Sequence, residues 1–128
     1  MNDTMDTIPR LLVVDDEEGM RDTLTDILEE FDYHIDAVAN GKEAVNRVRL
    51  GDYDLVLMDI RMPVMDGVQA LGEIKRLNPD LPVIMMTAYA RSEAVEQARE
   101  RGAAAILYKP LAIDEVLPLI ERTIRRDG

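Results

Sequence analysis

Residues 55–67 read LVLMDIRMPVMDG. Leu55 to Met58 are uniformly apolar, and Asp59 follows directly. A loop containing Pro63 comes next, then Asp66-Gly67 and a new apolar pattern. That order describes a buried strand, an acid at its carboxyl end, a loop and a helix start. Burying a bare carboxylate is expensive, so an acid in that place must be solvated, paired or given a cation. Asp59 is therefore the first candidate for chemistry, as a covalent nucleophile rather than a surface loop acid.

Toward the amino terminus, Arg10–Val14 carries the apolar run LLVV and ends in Asp15-Asp16-Glu17-Glu18. Met20, Leu24, Ile27, Leu28 and Phe31 then recur at helical spacing. Tyr33–Val38 reads as a short strand. Asn40 with Glu43 three residues on is an N-cap signature, followed by Ala44, Val45 and Val48 on one face and a stop at Gly51. Toward the carboxyl terminus, Val68, Leu71, Ile74 and Leu77 mark a helix that Asn78-Pro79 ends. Pro82–Met86 is another buried strand, closed by Thr87-Ala88. A helix over Ser92–Arg101 has a modest apolar face, mainly Val95 and Ala98. Ala103–Tyr108 is a fifth strand, ending in Lys109-Pro110. The last helix uses Val116, Leu117, Ile120 and Ile124. Asp114 and Glu115 open it and Arg122, Arg125 and Arg126 close it, in agreement with the helix dipole.

Strand and helix thus alternate five times, and strands one, three and four are nearly unbroken apolar runs, as strands covered on both faces are. The pattern predicts a doubly wound α/β sheet of parallel strands. The expected layout is a disordered tail over 1–9 and one domain over 10–126, with no output domain in this chain. With 47% hydrophobic and 32% charged residues, the chain has the composition of a soluble globular protein. A net charge of −11 argues against direct nucleic-acid binding, which needs cations to neutralise phosphates. The absence of cysteine excludes thiol catalysis, disulfides and zinc–thiolate sites. The first nine residues lack a signal-peptide apolar run, and no stretch is long and apolar enough for a membrane span, so the cytoplasm is expected.

All strands of a parallel sheet end on the same edge. Here those ends carry Asp15, Asp16, Asp59, Thr87 and Lys109, and ligands bind where the strand order reverses. If the first strand is central, with the second and third on either side, Asp15, Asp16 and Asp59 converge. Two unit charges 4 Å apart repel by about 4 kcal/mol at an effective dielectric of ~20. A divalent cation between them removes that cost, and an all-oxygen set favours Mg²⁺ or another hard ion such as Mn²⁺. Thr87 offers a hydroxyl, and Lys109 a point charge, to phosphoryl oxygens. The set suits phosphoryl transfer onto a carboxylate.

At this point the sequence resembles the receiver domain of two-component response regulators, over about residues 10–126. The matching motifs are the acidic pair in VVDDEE, the stretch LVLMDIRMPVMDG, Thr87-Ala88 in MMTAYA and Lys109-Pro110 in GAAAILYKPL. Each alone is weak; all four in order, on successive strand ends, are highly specific. The resemblance implies a flavodoxin-like (βα)5 sandwich with strand order 2-1-3-4-5. It implies that Asp59 accepts a phosphoryl group from a sensor histidine kinase or a histidine phosphotransfer protein. It further implies Mg²⁺ on Asp16, Asp59 and the backbone carbonyl of Arg61, with Asp15 helping through water. Lys109, joined to Pro110 by a cis bond, would contact the phosphoryl group, and Thr87 would move toward it. The output would be a protein target on the face of the fourth helix, fifth strand and fifth helix, with the domain a monomer or weak homodimer.

One departure concerns the switch. Family members often carry an aromatic three positions before the lysine, where this chain has Ile106; Tyr108 is the nearby aromatic and alternation puts both on one face. Thr87 movement is expected to couple to Ile106 packing or to Tyr89. Arg61 and Tyr89, two residues after Asp59 and Thr87, are expected to tune phosphoryl lifetime. His34, the one histidine, reads as structural, and Met58, Met62, Met65, Met85 and Met86 as packing. Rival readings are a phosphorelay intermediate, the receiver fragment of a longer DNA-binding transcriptional regulator, a non-phosphorylated pseudo-receiver and a haloacid-dehalogenase-like phosphatase. The phosphatase wants a second acid where Arg61 stands.

Overall fold

Three runs in this chain have no polar face to offer water: Leu11–Val14, Leu55–Met58 and Val83–Met86 are buried throughout. Strands of that kind need cover on both sides, and helices supply it. The computed structural model describes residues 8–127, so 1–7 of the expected tail lie outside the described residues. The elements alternate as β1 Arg10–Val14, α1 Glu18–Glu30, β2 His34–Val38, α2 Gly41–Leu50, β3 Leu55–Asp59, α3 Gly67–Leu77, β4 Val83–Thr87, α4 Glu93–Glu100, β5 Ala105–Tyr108 and α5 Ile113–Asp127. The five strands form one sheet in the order β2-β1-β3-β4-β5, and all four pairings are parallel. This is the doubly wound (βα)5 architecture expected from the alternation and the resemblance.

Alternation along the strands builds two cores. Leu12, Val14, Val56, Met58, Val83 and Met85 face α2, α3 and α4, meeting Ala44, Val48, Leu71, Ile74, Val95 and Ala98. Leu11, Val13, Leu55, Leu57, Ile84 and Met86 face α1 and α5, meeting Leu24, Leu28, Val116 and Ile120. Each fully buried aliphatic side chain contributes about 1.5–3 kcal/mol, so the strand runs dominate stability.

The expected Asn40 cap is present, and Asp66 and Ser92 cap α3 and α4 in the same way. Asn40 and Asp66 accept from the backbone N–H groups of Glu43 and Gln69, both at 2.9 Å, and Ser92 from Val95 at 3.2 Å. Some boundaries differ from the sequence reading. The β4 ladder begins at Val83 because Pro82 has no N–H to donate, although its carbonyl accepts from Val56 at 3.0 Å. Ala103 lies in the turn after α4 rather than in β5, which begins at Ala105: its N–H donates to Ala98 O at 3.0 Å just after Gly102 turns with φ +98°. Phe31 and Leu77 extend the apolar spacing of α1 and α3 but are exposed, because Phe31 is already the C-cap and Leu77 the last helical residue. Among the described residues no helix is long and apolar enough to cross a membrane.

Candidate functional site

The reversal of strand order lies between β1 and its neighbours, and β1 and β3 pair with Val14 opposite Met58. The residues that follow, Asp15 and Asp59, therefore leave the sheet side by side, and both are buried. Asp16, one residue on, is exposed at the mouth. One carboxylate oxygen from each of Asp15, Asp16 and Asp59 lies within 4.8 Å of the others. Lys109, just past β5, reaches across: its Nζ donates to Asp59 Oδ2 at 2.8 Å and to Asp15 Oδ2 at 3.1 Å. The other Asp59 oxygen, Oδ1, accepts from the Arg61 backbone N–H at 3.2 Å.

Burial pushes the Asp59 carboxyl above its usual range. The bond and charge of Lys109 pull it down without cancelling that push, and Asp15 adds to it. Burial alone would lower Lys109, but its bonds to Asp59 and Asp15 outweigh burial and hold the ammonium above its ordinary value. One ammonium thus bonds two of the three clustered carboxylates. The donor set, all oxygen and with negative charge in excess, fits a hard divalent cation, and Asp16 leaves the cluster open to solvent.

Thr87 ends β4 and is buried. Its Oγ1 accepts from the Tyr89 N–H at 3.0 Å, and its carbonyl accepts from Lys109 N–H at 2.8 Å. Ala88 is exposed beside it, and the Lys109–Pro110 bond is cis. Ile106 is half-buried against the α2–α4 core, opposite Met85. Tyr108, opposite Thr87 in the ladder, is partly exposed, and its hydroxyl accepts from Arg99 Nη2 of α4 at 3.0 Å. His34 is exposed at the start of β2, at the opposite edge of the sheet. Of the five methionines read as packing, Met58, Met62, Met85 and Met86 are buried and Met65 is packed against the core.

Three features of the site were missed in the sequence. The Arg61 guanidinium lies over the exposed Tyr89 ring, 4.2 Å from its centroid. Gly67, the first residue of α3, packs against the strand end that bears Asp59. A Cβ there would collide with the Asp59 carbonyl oxygen and come within 2.8 Å of Ile60 Cα. Arg21 of α1 donates from Nη1 to the Asp15 carbonyl at 2.8 Å. The glycine directly after the Asp66 cap was a visible signal, but nothing local marks a lone arginine on a helix.

A parallel (βα)5 sheet with an acidic cluster bridged by a lysine at its switch point is the architecture of a receiver. The family model for the response regulator receiver domain matches residues 11–121, and the chain belongs to that family. It is thus a receiver domain of two-component signalling. The chain is 40% identical over 114 residues to the transcriptional regulatory protein ZraR of Escherichia coli K12, spanning 89% of this chain and 26% of that protein. Among solved structures it superposes on a CheY-like receiver domain protein from Methanospirillum hungatei JF-1 with a TM-score of 0.92 and 29% identity, covering 94% and 97% of the two chains. The receiver domain of the sensor histidine kinase PA1611 from Pseudomonas aeruginosa PAO1 matches with a TM-score of 0.87 and 30% identity over 93% and 99%. That structure holds a magnesium ion in its active-site cleft.

Proposed function

We propose that Asp59 accepts a phosphoryl group from the phosphohistidine of a sensor histidine kinase or a histidine phosphotransfer protein. The observation that carries this is Lys109 Nζ bridging Asp59 and Asp15 inside a cluster of three carboxylates. An Asp59 carboxylate oxygen attacks phosphorus, the phosphorus–nitrogen bond breaks, and the imidazole leaves with its electron pair and takes up a proton. Asp16, Asp59 and the Arg61 carbonyl, with Asp15 helping, would hold Mg²⁺ or Mn²⁺, which would supply positive charge against the charge that develops on the phosphoryl group. Lys109 offsets charge on a phosphoryl oxygen and is already held at the acceptor. Thr87 exchanges its bond with Tyr89 N–H for one to the phosphoryl group. Water then hydrolyses the acyl phosphate, so turnover is limited to the domain's own phosphoryl group.

The consequence is a change in protein–protein interaction on the face of α4, β5 and α5, by a cytoplasmic monomer or weak homodimer. The likeness to 26% of a transcriptional regulator favours a second reading, in which this domain controls a DNA-binding module in a longer protein. The domain itself, at net charge −11, is unsuited to binding nucleic acid directly.

Incubation with acetyl phosphate or phosphoramidate plus Mg²⁺, read by intact mass, tests the reading. The unaltered chain gains one phosphoryl group and Asp59→Asn gains none. Equal labelling of both would falsify the assignment of Asp59.

A further inference from the structure

The turn that presents Asp15 and Asp16 lacks the usual support of a helix start. Glu17, the N-cap of α1, makes no side-chain cap hydrogen bond. Asp15 N–H donates to Val38 O of β2 at 3.2 Å, and two further bonds hold the turn beyond the strand. Glu17 N–H donates to Asp15 Oδ1 at 2.9 Å, and Arg21 Nη1 donates to the Asp15 carbonyl at 2.8 Å. Asp15 is fully buried, and leaving a buried carbonyl unpaired costs about 1–3 kcal/mol. Arg21 is itself fixed, since its backbone N–H donates to Glu17 O at 3.0 Å in the first turn of α1. The guanidinium therefore ties the end of β1 to the start of α1, with Asp16 between the tied points.

We propose that Arg21 is a positioning residue for the acidic pair: by clamping the Asp15 carbonyl it sets how Asp16 leaves the strand, and so the divalent-cation affinity of the Asp15–Asp16–Asp59 cluster. The proposal rests on reading that cluster as the metal site. Charge and position act in opposite directions here, so the role is separable. A guanidinium near three carboxylates repels an incoming cation, and an arginine acting by charge alone would give tighter binding when neutralised. An arginine acting by position gives weaker binding on the same change. Outer-shell partners of metal ligands typically account for about 10–100-fold in affinity.

The experiment uses the full chain with Mn²⁺ as the probe and free Mn²⁺ followed by electron paramagnetic resonance. Arg21→Gln, Arg21→Lys and Asp16→Asn are compared with the unaltered chain, and thermal melts confirm folding. Arg21→Gln, whose amide sits on a shorter side chain than the guanidinium that reaches the Asp15 carbonyl, is expected to bind about tenfold more weakly, and Arg21→Lys, which keeps the length and N–H donors, to recover part of the loss. Affinity in Arg21→Gln equal to or tighter than that of the unaltered chain overturns the proposal alone. Should Arg21→Gln fail to fold, Arg21→Lys decides: it keeps the charge, so weaker binding supports positioning and equal binding overturns it. Absence of binding by the unaltered chain, or binding that Asp16→Asn leaves unchanged, overturns the metal reading and this proposal with it.

Discussion

Val64, in the loop between Asp59 and α3, has φ +71° and its side chain is 82% exposed. A β-branched residue in the left-handed region is strained by about 1–2 kcal/mol, and exposed packing cannot compensate. Asn tolerates that conformation. Val64→Asn is expected to raise stability by about 1 kcal/mol, seen as a higher urea midpoint with an unchanged slope. A few residues away, Arg61 covers the Tyr89 ring, and their backbone N–H groups serve Asp59 and Thr87. An exposed cation–π contact is worth about 0.5–1 kcal/mol, which corresponds to a roughly two- to fivefold change in the population of the stacked pair. Arg61→Asn and Tyr89→Ala should therefore change the dephosphorylation rate, by mass or phosphate release, while leaving Mg²⁺ affinity nearly constant. An unchanged lifetime in both would remove the pair from the mechanism. At this scale the sequence showed that Arg61 and Tyr89 flank the site. It could not show that they stack, because the contact joins two different loops.

Elements carry the next set of consequences. The start of α3 approaches the end of β3 so closely that only glycine fits at Gly67. Gly67→Ala is expected to cost about 1–3 kcal/mol by overpacking and, by displacing Asp59, to slow phosphorylation in the mass assay. A second junction ties β1, β2 and α2. Asp36 accepts from Tyr53 Oη at 2.6 Å and pairs with Arg10 at 3.2 Å and Arg47 at 3.7 Å. The Tyr53 bond first, then the Arg10 bond and the two arginine charges, hold its carboxyl below the usual carboxylate range against partial burial. A folded-state value below the unfolded one stabilises above the unfolded pKa of about 3.9, and the gain is lost as pH falls through the folded value. Asp36→Asn should therefore lose about 1 kcal/mol at neutral pH, and the gap to the unaltered chain should close in acid denaturation series below about pH 4. Caps and strands were legible because they depend on neighbours in sequence. The Asp36 junction was not, since Arg10, Asp36 and Tyr53 lie on three separate segments.

For the whole molecule, a net charge of −11 sets both solubility and self-repulsion. Raising ionic strength from about 0.01 M to 0.15 M shortens the screening length from about 30 Å to 8 Å, and the unfolding midpoint should rise with it. Mg²⁺ should stabilise beyond equal ionic strength of Na⁺, by about 1.4 kcal/mol at ten times its dissociation constant. Asp16→Asn should abolish the excess while keeping the general salt effect. An equal response to both salts would argue against a cation site at the sheet edge.

Taken alone, the sequence determined the order of the elements, which faces are apolar, and which residues end each strand. Those properties follow from local periodicity, local caps and the steric rules of the backbone, and they sufficed for a doubly wound parallel sheet with Asp15, Asp16, Asp59, Thr87 and Lys109 along one edge, while the strand order 2-1-3-4-5 came with the resemblance to receiver domains. The tertiary structure alone decided which atoms meet. Lys109 bonds acids 50 and 94 residues away, Thr87 is turned to Tyr89, and Arg21 clamps the Asp15 carbonyl. Such contacts depend on strand register and loop geometry, which arise when the two cores pack and have no counterpart in the spacing of residues along the chain.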